Sequence, residues 1–265
     1  MNILLMTTCI CNEENTSDLK RLISSLNKVN DINIKHLVLL QDYQDDKKFE
    51  ADITNENYDL RFLEIEGIIS LSKARNMLIT EANDKRLFEC SDFVSFPDDD
   101  CWYPEGFWNN FKKIEREQKF GLFYTDFSSK PVAIDRPVNQ HNTANLVRYA
   151  SSNTSFYRAD VFIKIGLFDE NFGVGAKNNG GEDLDYVIRA MLLTEDIYFL
   201  NSPVIGHRDP LPQFRYKYYR GSFGVLSKHK AKTFTLFYQY LRKFLIGLVF
   251  LSSKKIRFSE FKTIR

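Results

Sequence analysis

Apolar and polar residues alternate along the first part of the chain in a pattern that predicts strands separated by helices. Short apolar runs at residues 3–6 and 36–40 have the length of buried strands. Between these runs, four apolar residues recur at helical spacing and fall on one helix face: Leu19, Leu22, Ile23 and Leu26. A strand, a helix and a second strand at this spacing predict a parallel unit with a right-handed crossover.

The same alternation continues to residue 125. Residues 61–65, 93–96 and 121–125 are predicted strands. The helix between the first two of these would bury Leu71, Ala74, Leu78 and Ala82. The next helix would hold Pro104 in its first turn and bury Phe107, Phe111 and Ile114. The sequence therefore predicts an α/β fold with an open, Rossmann-like, mostly parallel sheet flanked by helices. Ligands of such sheets bind beyond the carboxyl ends of the strands.

The second half of the chain has a less regular pattern. One helix is predicted from the apolar spacing of Leu184, Val187, Ile188 and Met191. Residues 171–181 are rich in Gly and Asn, which predicts a mobile loop. After Gly206 the chain is rich in Arg, Lys and Tyr and then becomes helical. Its apolar stripe consists of Phe234, Phe237, Leu241, Phe244, Leu245 and Leu248.

The net charge of +1 conceals an uneven distribution. Residues 205–265 contain 14 Lys or Arg and two Asp or Glu, whereas the preceding residues contain 22 and 33. The chain is therefore an acidic body followed by a basic tail. The near-neutral balance of the whole chain argues against an electrostatically driven nucleic-acid binder, and we expect no nucleic-acid partner.

Cysteine usage and apolar run lengths indicate a cytoplasmic protein. The four cysteines show no C-x-x-C pair and no metal-ligand spacing, as expected in a reducing compartment. The N-terminal apolar run lacks a basic flank, so we interpret it as a buried strand and not as a signal peptide. The longest uninterrupted apolar run, residues 244–251, falls far short of the roughly 20 residues of a membrane span. We expect the chain to touch a membrane without crossing it.

Three consecutive carboxylates, Asp98, Asp99 and Asp100, follow the predicted strand at residues 93–96. Their mutual repulsion at the end of a buried strand is costly unless a cation lies there. Mg²⁺ or Mn²⁺ with oxygen ligands would remove that cost and keep positions open for phosphate oxygens. The alternative is a solvated Asp-rich turn.

Three further groups have both a chemical and a structural interpretation. Glu182 and Asp183 open a helix behind two glycines, where a carboxylate is a general-base candidate or simply interacts with the helix dipole. His207 is either a metal ligand or a residue without a functional role. Lys73 and Arg75, near the start of a helix, either contact a diphosphate or are solvated.

In their order and spacing these pieces resemble the family-2 glycosyltransferases of the GT-A fold, of the bacterial surface-polysaccharide type. The resemblance covers roughly residues 1–210. It rests on the Asn-containing turn at residues 7–13, the acidic strand end at 39–42, Ser72-Lys73-Ala74-Arg75-Asn76, Asp98-Asp99-Asp100, residues 153–158 with Gly166-Leu167-Phe168-Asp169-Glu170, Gly181-Glu182-Asp183, and His207.

The resemblance implies an inverting, metal-assisted transfer of a sugar from a nucleotide-sugar, with UDP-linked donors as our expectation. Thr8 and Asp42 would line the nucleotide-base pocket, and Lys73 and Arg75 would contact the donor or its phosphates. Asp98 would lie near the donor ribose, and Asp99 is the neighbouring alternative for the role of either Asp98 or Asp100. Asp100 and His207 would hold Mn²⁺ or Mg²⁺. Asp183 would be the general base, and Glu182 would position the acceptor.

We expect a GT-A catalytic domain at residues 1–207, with a nucleotide-sugar-binding half at about 1–125 and an acceptor-binding half at 126–207. A basic amphipathic helical tail would follow at 208–265. The tail suits an anionic membrane, which indicates a peripheral protein on the inner face of the cell membrane and a glycan or polyprenyl-linked acceptor. Packing of the tail on the body, or on a second subunit in a homodimer, is the alternative.

Two other functions remain open on the sequence alone. A nucleotidyltransferase that makes sugar nucleotides would use a similar sheet and metal site. It would need a phosphate loop with Gly and Arg after the first strand, and residues 7–15 contain neither. A non-catalytic, membrane-docked binding module is the second alternative.

Overall fold

The computed structural model describes residues 1–43, 58–134 and 137–262. In this part of the chain seven strands form one sheet in the order β3-β2-β1-β4-β6-β5-β7. The strands are β1 (Asn2–Ile10), β2 (Asn33–Gln41), β3 (Asp59–Ile65), β4 (Phe93–Ser95), β5 (Leu122–Ser128), β6 (Ser155–Arg158) and β7 (Ile197–Gly206). The sheet is mostly parallel, which confirms the predicted fold class.

One strand runs against the others. β1 pairs in parallel with β2 and β4, and β2 pairs in parallel with β3. β6 lies between β4 and β5 and is antiparallel to both, whereas β5 and β7 are parallel. The five predicted strands are present, and β6 and β7 are two that the apolar pattern did not predict.

Nine helices surround the sheet in the described residues. They are α1 (Glu13–Leu26), α2 (Leu71–Asp84), α3 (Phe107–Glu117), α4 (Thr143–Tyr149), α5 (Ala159–Ile165), α6 (Glu182–Met191), α7 (Phe214–Lys217), α8 (Tyr219–His229) and α9 (Phe234–Ser252). The four predicted helix faces of α1, α2, α3 and α6 are confirmed as buried or half-buried.

The hydrophobic core has two layers, one on each face of the sheet. Alternate residues of β1 show the division: Leu4 and Met6 belong to one layer, and Ile3 and Leu5 to the other. α1 and α3 cover the second layer, while α2, α4, α5, α6 and α8 cover the first. The tail therefore packs on the face opposite to α3.

Two local predictions need correction. Pro104 lies in the turn before α3, because Gly106, at a φ of +84°, is the N-cap and Phe107 is the first helical residue. The segment at 171–181, predicted to be mobile, is held by hydrogen bonds. Leu71 N–H donates to Val174 O at 3.0 Å, and the Ser72 hydroxyl donates to Phe172 O at 2.6 Å. Its glycines permit a tight, packed turn.

The tail after residue 207 packs against the body. Val225 and Leu226 of α8 and Leu236 of α9 are buried in the first core layer. The proposed boundary at residue 207 stays a prediction, but the segment beyond it shares a core with the sheet. α9 is long and apolar enough to cross a membrane by length and composition alone, with a mean hydropathy of 1.3. The expected absence of a crossing also stays a prediction.

Candidate active site

The acidic turn lies where the order of the parallel strands reverses. β1 is flanked by β2 on one side and by β4 on the other, and ligand crevices of open α/β sheets form beside such a switch point. Thr8 near the end of β1, Gln41 at the end of β2, and the three aspartates after β4 line one cavity of about 390 Å³. The structure thus brings together the ends of three strands around one space.

Arg75 joins the acidic turn to the start of α6. It is 2% exposed, and its Nη1 donates to Asp183 Oδ1 at 2.6 Å. Its Nη2 donates to Asp98 Oδ1 at 3.1 Å and to the Ser152 hydroxyl at 2.6 Å. A buried guanidinium must be paired, and these partners supply two opposite charges. The predicted contact of Arg75 with the donor or its phosphates stays a prediction: Arg75 lines the smaller cavity, and its terminal nitrogens already bond two carboxylates and a hydroxyl.

Asp100 is the centre of a second set of ion pairs. Its Oδ1 lies 2.9 Å from His207 Nε2, and its Oδ2 accepts from Arg208 Nε at 2.7 Å. Asp98 Oδ2 lies 3.7 Å from the same His207 nitrogen. Burial alone lowers the pKa of His207, but its hydrogen bond to Asp100 and the negative charges of Asp98 and Asp100 raise it to about 10.

His207 reaches the acidic turn because the end of β7 pairs with the segment after that turn. Trp102 N–H donates to Gly206 O at 3.0 Å, and Gly206 N–H donates to Trp102 O at 2.9 Å. A Cβ on Gly206 would lie 2.0 Å from the Trp102 ring, so only glycine allows this contact. The pairing sets the residue after Gly206 beside Asp100, although more than 100 residues separate them.

The side chains at this corner fit a hard divalent cation. Asp100, Cys101 and His207 offer ligand atoms that lie within 4.8 Å of one another. Burial, followed by repulsion from Asp98 and Asp100, raises the pKa of the Cys101 thiol well above its ordinary value. A thiol is a soft ligand, whereas carboxylate and imidazole suit Mn²⁺. His207 would have to release its proton to bind the ion. Asp100 and His207 are therefore the residues that would hold the ion, with Asp98 beside them.

Asp99 lies between two other carboxylates in the acidic turn. Burial and then repulsion from Asp98 and Asp100 raise the pKa of Asp99 to about 7. Asp98 and Asp100, by contrast, each have a cationic partner in Arg75 or Arg208.

Glu182 and Asp183 begin α6, directly after two glycines in the left-handed region. Gly181 has a φ of +89°, and a Cβ there would lie 2.6 Å from the backbone of Gly221 in α8. This close approach fixes the start of α6 against the tail. Asp183 is 25% exposed and reaches the cavity, while Glu182 is 8% exposed.

Burial and then the charge of Asp183 raise the pKa of Glu182 to about 8, against the effect of Arg75. Glu182 Oε2 is buried, and no hydrogen bond reaches it from the described residues. A carboxyl group that is protonated at neutral pH and lacks a partner can donate a hydrogen bond to a ligand hydroxyl.

A second cavity of about 800 Å³ adjoins the first. Both cavities are lined by Asp100, Val174, Glu182, Asp183 and Arg208. The larger cavity is lined by both basic and acidic side chains: Arg148, His207, Arg208, Arg215 and Lys243, and Asp100, Glu182, Asp183 and Asp209. Burial, and then the charge of Arg242, lowers the pKa of Lys243 to about 8. Glu182 and Asp183, at the start of α6, therefore lie between the two cavities. Each cavity is large enough for part of a substrate.

Two predicted donor-binding residues lie outside both cavities. Asp42 is exposed at a φ of 56°, and its backbone N–H donates to the carbonyls of Ile65 and Gly67. Lys73 is exposed and lies roughly 200° around α2 from Arg75. Gln41, the neighbour of Asp42, lines the smaller cavity instead, and its Oε1 accepts from Ile69 N–H at 3.0 Å.

Sequence reasoning missed three residues that line these cavities: Gln41, Arg208 and Lys243. Arg208 directly follows the predicted ligand His207, so its charge beside an acidic turn was a usable signal. Lys243 lies within an apolar helix and gave no such signal. Its position in the larger cavity depends on how α9 packs against α8.

Three crystal structures of TarS from S. aureus have a similar fold. TarS 1-349 in complex with UDP matches with a TM-score of 0.66 over 98% of this chain and 77% of that chain, at 15% identity. The complex with UDP-GlcNAc gives 0.63 over 92% and 72%, also at 15% identity. The structure titled simply TarS gives 0.62, and this chain covers 43% of it.

No protein-family model and no curated protein sequence matches the chain. At 15% identity the structural matches establish the fold, and they confirm the GT-A architecture that the sequence predicted.

Proposed function

We propose that this chain is an inverting glycosyltransferase that moves a sugar from a nucleotide-sugar to an acceptor hydroxyl, with Asp183 as the general base. The observation that carries this proposal is the position of Asp183. It lines both adjoining cavities, and Arg75 ties it to Asp98 in the acidic turn. A base between a donor site and an acceptor site is the arrangement that a single displacement requires.

The smaller cavity is the proposed donor site. It lies beyond the carboxyl ends of β1 and β4, and it has Thr8, Asp98 and Asp99 in its lining. Two of the TarS structures that share this fold are complexes, one with UDP and one with UDP-GlcNAc. A UDP-linked sugar is therefore the proposed donor class for this chain.

The larger cavity is the proposed acceptor site. In the transfer step the acceptor oxygen attacks the anomeric carbon of the sugar while the bond from that carbon to the diphosphate oxygen breaks. Asp183 takes the acceptor proton, and the electron pair of the broken bond leaves with the nucleoside diphosphate. Glu182, which lines both cavities, would position the acceptor.

A divalent metal, Mn²⁺ or Mg²⁺, is the proposed cofactor, and Asp100 and His207 would hold it. When bound, such an ion supplies charge stabilisation for the departing diphosphate. Arg208 pairs with the Oδ2 atom of Asp100 and also lines both cavities. Its guanidinium would be a second cation for the diphosphate.

The proposed acceptor is a glycan or a polyprenyl-linked glycan at the inner face of the cell membrane. Lys243 of α9 and Tyr218 of the turn before α8 line the larger cavity, which supports an acceptor that approaches from the side of the tail. Peripheral attachment through the tail is part of this proposal.

The test is product analysis with purified protein, Mn²⁺, a panel of sugar nucleotides and a membrane extract as acceptor. A glycosyltransferase releases nucleoside diphosphate. Release of pyrophosphate from a sugar phosphate and a nucleoside triphosphate would instead identify a nucleotidyltransferase. No turnover with any donor would favour a binding module.

A further inference from the structure

One face of α9 packs against the rest of the protein, and the opposite face is exposed. The inner face packs on α8: Tyr240 stacks on Phe223 at 5.4 Å between ring centroids, and Gly247 lies against the Tyr219 hydroxyl. The outer face is apolar and exposed. It consists of Phe234, Phe237, Tyr238, Leu241, Leu245, Leu248 and Val249. Phe244, which the sequence pattern placed in this stripe, packs on Phe223 and Phe261 instead.

The uncovered face is continuous. From Phe234, which is 83% exposed, to Val249, which is 63% exposed, it runs about 22 Å along the helix, with the exposed Arg242 at its edge. An apolar face of this length on a protein surface marks an interaction site.

A basic pocket lies past the end of the same helix. Five Lys or Arg and one carboxylate line a cavity of about 510 Å³: Lys217, Arg220, Lys254, Lys255, Arg257 and Glu260. Glu260 pairs with Arg220 at 3.2 Å. Within the described part of the chain the other four cations have no carboxylate partner. The pocket therefore has an excess of positive charge directly after the C-terminal end of α9.

Lys254 occupies a backbone position that favours glycine. Its φ is +58°, and its N–H donates to Leu251 O at 3.0 Å, which ends α9. A lysine in this left-handed backbone region is strained, and strained residues cluster at functional sites. Here the side chain lines the basic pocket.

We propose that the outer face of α9 and this basic pocket together form a docking site for a membrane that contains anionic phospholipid. The apolar side chains insert among the acyl chains, and the pocket binds the phosphate of a lipid headgroup. Positive charge at the edge of an exposed apolar helix face matches the negative surface of such a membrane.

The packing of α9 favours a helix that lies in the membrane plane over one that spans it. Arg242 and Lys243 lie near the middle of the helix, and a spanning orientation would bury both in hydrocarbon. In the plane, Lys243 stays in the larger cavity. The same helix then contacts the lipid on one side and the acceptor cavity on the other, so a lipid-linked acceptor has a short route to Asp183.

Vesicle sedimentation tests this docking without any substrate, so its outcome is separate from that of the transfer assay. Two vesicle types are compared, pure phosphatidylcholine and phosphatidylcholine with 30% phosphatidylglycerol. Lys254→Gly with Lys255→Gln removes two pocket charges and suits the backbone of residue 254. We expect partitioning onto the anionic vesicles to fall about 30-fold, since each basic residue at such a surface contributes about fivefold.

Leu245→Gln with Val249→Gln should lower partitioning about tenfold on the anionic vesicles, because the apolar face inserts less. The matched control is Lys113→Gln with Arg116→Gln on α3, on the opposite face of the sheet, which should partition like the unaltered chain. Equal binding to both vesicle types, or pocket variants that bind like the control, would overturn the proposal. A dimer that dissociates when Leu245 and Val249 are replaced, with vesicle binding unchanged, would overturn it in favour of a second copy.

Discussion

Arg75 Nη1 donates a hydrogen bond to Asp183 Oδ1 at 2.6 Å, across 108 positions of sequence. Through its other terminal nitrogen Arg75 also holds Asp98, so one buried guanidinium sets the distance between the acidic turn and the first turn of α6. The donor side and the acceptor side of the proposed active site are thereby built as one unit.

Arg75→Met should impair both stability and transfer. It leaves Asp98 and Asp183 without their shared cation, and removal of one partner from a buried ion pair costs about 3–5 kcal/mol. We expect the free energy of unfolding in urea to fall by about 3 kcal/mol and kcat to fall at least about tenfold. Arg75→Lys should recover part of the stability and little of kcat, because a lysine cannot reach both carboxylates in a fork. Normal kcat in Arg75→Lys would show that the bridge does not position Asp183.

Asp183→Asn should abolish transfer and leave donor binding intact. The amide keeps the size of the side chain but cannot take the acceptor proton, and loss of a general base lowers rates by about 10²–10⁴. Calorimetric binding of UDP with Mn²⁺ should match that of the unaltered chain. Asp160→Asn, an exposed carboxylate on α5, is the control. Transfer by Asp183→Asn within a few-fold of normal would reject the base assignment.

Asp100→Asn and His207→Gln should weaken metal dependence and donor binding together. Both residues would hold the ion, so we expect the Mn²⁺ concentration for half-maximal activity to rise by at least about tenfold. Cys101→Ala should leave that concentration unchanged, since its thiol stays protonated. An unaltered Mn²⁺ titration in Asp100→Asn would contradict the metal site.

Glu182 should set the alkaline limb of the pH profile. Burial, followed by the charge of Asp183, raises the pKa of Glu182 to about 8. Below this pH the carboxyl group carries a proton and can donate to the acceptor, and above it the group is an anion. We expect kcat to fall about tenfold per pH unit above pH 8. Glu182→Gln donates at every pH, so its alkaline limb should be flat. The same limb in both proteins would exclude this role.

Asp185 should stabilise the packing of the tail. Burial alone raises the pKa of Asp185, but hydrogen bonds from His229 and Lys228 and the charge of Arg189 lower it to about 2. A depressed carboxyl pKa stabilises the fold above the unfolded value of 3.8, and that stability is lost as pH falls toward 2. The shift corresponds to about 2 kcal/mol.

We therefore expect Asp185→Asn to lower the free energy of unfolding by at least about 2 kcal/mol at pH 6, and by less at pH 3. Urea unfolding at the two pH values measures this difference. Equal losses at both would mean that the charge of Asp185 does not stabilise the α6–α8 contact.

The parallel half of the fold was predictable because its strands and helices have clear periodicity. The apolar runs gave β1 to β5, and the spacing of Leu19 to Leu26 gave α1. β6 was missed because its four residues, Ser155–Arg158, are too short for a period-2 pattern. Its antiparallel pairing between β4 and β5 depends on long-range contacts that no local pattern encodes.

The sequence predicted which residues form the candidate site better than it predicted which of them contact one another. The acidic turn, the start of α6 and His207 were identified from sequence, and the structure brings them together. The hydrogen-bond partners of Arg75 were not identified, because they are carboxylates that lie 23 and 108 positions away in the sequence. Lys243 was missed for a similar reason, since helical periodicity alone does not show which side chains of α9 line a cavity.

The stereochemistry of transfer tests the central claim most directly. A donor labelled with ¹³C at the anomeric carbon, chosen from the sugar-nucleotide panel, is incubated with the protein, Mn²⁺ and a membrane extract. NMR then gives the anomeric configuration of the product. A single displacement with Asp183 as base inverts that configuration, and we expect only the inverted product, with none formed by Asp183→Asn. A product that retains the donor configuration would contradict the proposed mechanism.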